Sequence, residues 1–193
     1  MNKSRLEAFS DGVMAIIITI MVLELKVPHG HELKDLSSIF TELFSYIQSF
    51  WFIGVYWNNH HHLLHTVKKV NGPMMVANML LLFLLSLVPF ATHWVSETDF
   101  AAVPVAVYAV VLATCGVGWT ILQNTIQKWT TWNPLVKKAM GRQSKKGWVS
   151  VILYTAGIPF AFINPYISEA FFVFVAIMWL VPDKNIEAAF NDD

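Results

Sequence analysis

Arg5-Leu-Glu-Ala-Phe9-Ser10-Asp11-Gly12 runs without a break into Val13-Met-Ala-Ile-Ile-Ile-Thr-Ile-Met-Val-Leu23. A charged and hydroxylated cluster therefore opens a helix that is otherwise apolar enough to cross a membrane. Lipid offers an ionised side chain no partner, so Arg5, Glu7, Ser10 and Asp11 must lie at the interface or face protein and water. Such a helix is a poor lipid anchor and suits the wall of a polar pathway.

Composition extends this reading to the whole chain. Of 193 residues, 55% are hydrophobic and 13% charged, with a mean hydropathy of +0.51. Soluble domains carry about 25% charged residues, so this chain is built for lipid. Its length accommodates one membrane domain, residues 1–193, with no appended soluble domain. The single cysteine, Cys115, excludes a disulfide framework within the chain. The start lacks a small-x-small cleavage site and reads as a retained first span.

Six segments approach the roughly 20 mostly apolar residues that a spanning helix needs. They lie at about 7–26, 41–63, 73–95, 100–125, 147–164 and 167–183. The last two are short and joined by Ile163-Asn164-Pro165-Tyr166, where the residue before proline resists helix. Pro89, Pro104 and Pro159 fall in or near spans and predict kinks. Trp51, Trp57, Trp94, Trp119, Trp148 and Trp179, with Tyr56 and Tyr166, cluster toward span ends as an aromatic belt would.

Orientation follows from the basic residues. With the N-terminus inside, Lys3, Arg5, Lys68, Lys69, Lys128, Lys137, Lys138, Arg142, Lys145, Lys146 and Lys184 are cytoplasmic, against Lys26 and Lys34 outside. Eleven against two is a positive-inside bias for six spans with both termini cytoplasmic. The loop at roughly 126–146 is the most basic. It reads as a topological signal touching anionic lipid, and nucleic acid is not an expected partner.

His60-His61-His62 with His65 has spacing that could share one metal ion on a helical face. Membrane di-iron enzymes need several such boxes, and only His29, His31 and His93 remain. The expectation is that one or two of these histidines hydrogen-bond other helices, with no bound metal or other cofactor. Thr114-Cys115-Gly116-Val117-Gly118 has the look of a potassium filter, whose carbonyls replace the ion's hydration shell in an extended loop. Here it sits inside an apolar run from Ala101 to Leu122, so Gly116 and Gly118 are expected to permit close helix packing. No nucleophile–base pair, phosphate loop or paired carboxylate stands out, and the chain is not expected to be an enzyme. Asp11 is the only carboxylate expected inside a span away from its end. With the His60–His62 cluster it leaves open a proton-coupled transporter.

At about 100° per residue, Ile16, Ile20 and Leu23 fall within about 60° of one another, bordered by Thr19. Asp11 points roughly 140° away from Ile16. Taken alone, such a stripe is what ordinary helix packing produces.

Arg5-x-x-x-Phe9-Ser10-Asp11 at the start of the first of six spans resembles the signature of the transmembrane protein 175 family of potassium channels. Trp57-Asn58 with His60–His62 on the second span also resembles that family's tryptophan- and histidine-rich stretch. Animal members carry two six-span repeats and reside in endosomes and lysosomes, whereas bacterial members carry one. The resemblance therefore implies a homotetramer in the plasma membrane, passing monovalent cations with potassium as the preferred permeant. It further implies that the first helix lines the pore, with Ile16 as the narrowest ring and Thr19 or Ile20, then Leu23, above it. The motif residues Arg5, Ser10 and Asp11 would tether that helix to Trp57, to His60 and His61, and to Asn78. A narrow apolar ring gates by dewetting, and potassium, which holds its water less tightly than sodium, would pass it more readily.

Overall fold

The computed structural model describes residues 2–180, and over that range the chain is helical with no strand. The Asn2 side chain accepts from the Ser4 amide at 3.3 Å, capping α1 (Lys3–Leu23). The helix therefore starts earlier than hydropathy places the span and stops before Glu24. A loop and a 3-10 stretch (Leu33–Ile39) lead to α2 (Phe40–His65). Then follow α3 (Gly72–Leu85), α4 (Val88–Glu97), α5 (Ala102–Trp129), α6 (Pro134–Ile163) and α7 (Pro165–Leu180).

The expected third span, 73–95, is divided into α3 and α4. Pro89 lies in the first turn of α4, has no N–H to donate, and its ring would clash with an unbroken preceding turn. The chain resolves this at Ser86–Leu87, where the Ser86 hydroxyl donates to the Phe83 carbonyl at 2.7 Å. α3 and α4 together still make one apolar crossing of 26 residues. α1, α5 and α6 are also long and apolar enough to cross a membrane, and α7 is a shorter apolar helix. α2 has the length, at 26 residues, but its Trp, Tyr, Gln, Asn and His residues lower its hydropathy. The last residues of the expected sixth span, 181–183, and Lys184 lie outside the described residues.

The basic stretch 126–146 is not a loop. α5 continues to Trp129, and α6 begins at Pro134, where the Asn133 side chain accepts from the Val136 amide at 2.8 Å. Asparagine at the cap followed by proline in the first turn is a helix start. Hydropathy detects the apolar part of a helix and is blind to the lysine-rich turns before it. As expected, Asn164 ends α6 before Pro165. Pro159 is accommodated inside α6.

α5 is the hub, packing against α3, α4, α6 and α7. Thr114–Gly118 lies within it, helical throughout. A Cβ on Gly116 would stand 2.6 Å from Val151 Cγ2, and one on Gly118 would stand 2.8 Å from Leu84 Cδ1. Both glycines are thus close-packing points against α6 and α3. Tyr56 and Trp119, expected in the interfacial belt, instead meet edge to face inside the bundle with centroids 6.0 Å apart. α1 packs at the periphery against α2, α3 and α4.

Candidate functional site

α1 has two faces. Leu6, Ser10, Met14, Ile17 and Met21, spaced by three and four residues, are buried against the bundle. Ile16, Thr19, Ile20 and Leu23 stand on the other side, with Ile16 58% and Leu23 80% exposed in the single chain. The same side carries Arg5, Phe9 and Gly12. All four residues expected along a pore therefore share one uncovered face. Thr19 turns its hydroxyl back onto the Ile16 carbonyl at 2.9 Å, satisfying the donor and leaving its oxygen lone pairs outward. A groove flanks this face, with Val13, Ile16, Ile17 and Ile20 on one wall and Pro89, Phe90 and His93 on the other.

Behind the stripe lies a buried three-helix bridge. The Ser10 hydroxyl donates to the Leu6 carbonyl at 2.8 Å, so its oxygen must accept from its other neighbour. That neighbour is Asn78 Nδ2 at 2.9 Å. The amide orientation leaves Asn78 Oδ1 facing His60 Nε2 at 2.7 Å, so the imidazole carries its proton on Nε2 and donates. Ser10, Asn78 and His60 are at most 1% exposed. The result is a one-way chain from α2 through α3 to α1.

A second link is nearer the surface. Trp57 Nε1 donates to Asp11 Oδ1 at 3.0 Å, joining α2 to α1. The structure divides the expected tether into these two links and leaves three residues outside them. Arg5, exposed, makes no side-chain hydrogen bond or ion pair among the described residues, and Phe9 is likewise exposed. His61 turns outward and meets the rings of His62 and His65 at centroid distances of 5.7 and 6.4 Å. Because His60 faces Asn78 and His61 faces away, the histidine run does not converge. Among the described residues no three His, Cys, Asp or Glu side chains are placed to hold a metal.

An ion pair and a histidine–carboxylate contact lie at the far end of α1. Lys26 Nζ lies 2.6 Å from Glu97 Oε1, and His93 Nδ1 lies 3.4 Å from Glu24 Oε2. The hydrogen bond to Glu97 raises the Lys26 ammonium above the ordinary lysine range, so it stays charged at any physiological pH. Both pairs connect the chain just past Leu23 to α4 and its C-terminal turn.

Sequence reasoning missed two features of the interior. Ser49, Thr92 and Tyr108 form a second buried chain: Ser49 Oγ stands 2.7 Å from Thr92 Oγ1 and 2.8 Å from Tyr108 Oη. Glu169, on α7, is buried beside it, so Asp11 is not the only carboxylate set within a span. The signal was present: Ser168-Glu169 breaks an otherwise apolar helix, but one turn from its start an acid reads as interfacial.

Comparison with known proteins gives a consistent picture. Residues 5–89 match the family described as the endosomal/lysosomal potassium channel TMEM175. A potassium channel from a Chryseobacterium species is 49% identical over 193 residues, covering 100% of both chains. The human endosomal/lysosomal proton channel TMEM175 is 30% identical over 143 residues, 68% of this chain and 28% of that protein. The crystal structure of a lysosomal potassium-selective channel TMEM175 homolog from Chamaesiphon minutus superposes with a TM-score of 0.80 at 29% identity. That match covers 92% of this chain and 96% of the other.

Proposed function

This chain belongs to the TMEM175 family of potassium channels, and we propose that it conducts potassium passively through a pore lined by the exposed face of α1 from four copies. The observation that carries this reading is the separation of faces on α1. The buried face is fixed to the bundle by the Ser10–Asn78–His60 bridge, while the apolar stripe from Ile16 to Leu23 has no cover within its own chain. Lipid alone would suit that stripe poorly, because Arg5, Gly12 and Thr19 share its side of the helix.

In this arrangement each subunit places both termini in the cytoplasm of a plasma-membrane protein and crosses six times. Four copies of Ile16 form the narrowest ring, with Thr19, Ile20 and Leu23 above it. The ring excludes water until the helices tilt or rotate apart, so it acts as gate and constriction together. Dehydration at the ring disfavours sodium more than potassium, and the Thr19 oxygens offer an entering ion partial compensation. No carbonyl cage surrounds the ion, so discrimination is modest. The buried bridge and the Asp11–Trp57 link set the angle of α1 and through it the pore radius.

Proton relay through the same residues is disfavoured by their bonding. The His60 proton is directed onto an amide oxygen, and the chain ends on the Leu6 carbonyl, neither of which passes a proton onward. The deciding experiment is reconstitution into planar bilayers with potassium on one side and sodium on the other. A reversal potential displaced toward the potassium equilibrium value supports the channel. Saturable uptake without net current would replace it with a transporter.

A further inference from the structure

Glu169 lies in the interior, facing Ser45 and Gln48 of α2, Thr92 and Val95 of α4 and Tyr108 of α5. It is 6% exposed and is the only buried Asp or Glu among the described residues. No cation balances it: the groups around it on α2 and α4 are neutral, and Tyr108 is the titratable neighbour on α5. His93, next to Thr92, is directed at Glu24 instead. On α6, Gly157 faces the start of α7 and accepts from the Ser168 hydroxyl at 2.7 Å, while Tyr154 packs on Phe172. The α7 N-terminus does not serve the carboxylate either, because the Tyr166 and Ile167 amides are taken by Asn164.

Counting donors shows what the cluster lacks. Thr92 donates to the Val88 carbonyl, so Ser49 must donate to Thr92 and Tyr108 must donate to Ser49. Every hydroxyl proton of that chain is therefore used, and none points at Glu169. Gln48 lines the same space as Tyr108 and Glu169. Three oxygens remain without a partner: Ser45 Oγ, Gln48 Oε1 and Glu169 Oε1. The space among them is too small for a water molecule. Glu169 Oε1 therefore meets no donor, and there is room beside it for nothing larger than a proton.

We propose that Glu169 is a proton-binding site, held as a neutral carboxylic acid in place of a buried carboxylate that no cation balances. An ionised carboxylate there would be buried, uncompensated and short of donors, the combination that interiors avoid most strongly. The proton removes a charge that nothing around it balances. The site joins α7 to α2, α4 and α5, lies apart from the α1 stripe, and does not depend on that helix lining a pore.

Infrared spectroscopy of the reconstituted full chain at neutral pH tests this directly. Exposed carboxylates are ionised there, so a carboxylic-acid carbonyl stretch that shifts in deuterated water is expected, and Glu169→Gln should remove it. Absence of that band, with the Glu169→Gln difference appearing among the carboxylate stretches, would overturn the proposal. Where Glu169→Gln fails to fold, Glu169→Asp should shift the acid band rather than abolish it; an unshifted band would assign it elsewhere and count against the site. Melting curves give a second reading. The folded state binds a proton that the unfolded chain has released by neutral pH, so the wild-type protein should lose melting temperature as pH rises. The Glu169→Gln chain should show a flatter dependence, and identical slopes would contradict proton binding at this residue.

Discussion

Asn78 Nδ2 donates to Ser10 Oγ across 2.9 Å at a point where both side chains are fully buried. The same amide receives His60 through its oxygen, so one side chain holds three helices together. Replacing Asn78 with alanine strands the His60 Nε2 proton and leaves the Ser10 oxygen without its donor. Each buried group left unmade costs about 1–3 kcal/mol. For a chain of this size about 1 kcal/mol moves a melting temperature by roughly 2–4 °C, so with two groups stranded a fall on the order of 10 °C is expected. Thermal unfolding of the detergent-purified protein measures it, and an unchanged curve would remove the bridge from the account of stability.

Asp11→Ala breaks a link of a different kind. Its bond to Trp57 is half exposed in the single chain, so the subunit fold should tolerate the loss better than it tolerates Asn78→Ala. The effect is expected in assembly and α1 angle: a lower fraction of the proposed tetramer on size-exclusion chromatography with a near-normal subunit. A normal tetramer peak would count against a tethering role for Asp11.

Ile16→Asn should act on the ion and not on the fold, because Ile16 is 58% exposed and contributes little to the subunit core. In the proposed pore, a ring of asparagine amides at this position would wet the constriction and offer sodium the compensation that isoleucine withholds. Reversal potentials under a potassium/sodium gradient should move toward zero, with melting behaviour close to wild type. Unaltered discrimination would mean that Ile16 is not the narrow ring.

Much of this was legible in the sequence, for reasons that differ by residue. Ser10, Asp11 and the histidine run stand out because polar groups in lipid-spanning helices need partners, whereas Trp57 and Asn78 enter as their partners through the family resemblance; the structure joins Ser10 to Asn78, Asn78 to His60, and Asp11 to Trp57. Which partner each takes depends on helix rotation, which hydropathy does not encode, so Arg5 and His61 were grouped with a network that they stand outside. The helical start of α6 was hidden because lysines at Lys137, Lys138, Lys145 and Lys146 resemble a loop on a hydropathy scale while Asn133-Pro134 caps a helix. Glu169 was hidden by position, since an acid one turn into a helix looks interfacial until the other helices close over it.

Gly116 and Gly118 make the packing of α5 testable. A methyl at Gly116 would fall 2.6 Å from Val151 Cγ2, and valine, branched at Cβ, has little rotamer freedom to retreat within a helix. At Gly118 the nearest atom is Leu84 Cδ1 at 2.8 Å, the tip of a longer side chain, but the Leu81 Cα lies 3.6 Å away and limits how far α3 can yield. Overpacking of this kind costs about 1–3 kcal/mol. Gly116→Ala is therefore expected to lower the melting temperature by several degrees, and Gly118→Ala by less. Val151→Ala should restore much of the first loss by making room for the added methyl, and should do nothing for the second. If both glycine variants melt like the wild-type protein, α5 is not held at these contacts and the glycines need another explanation.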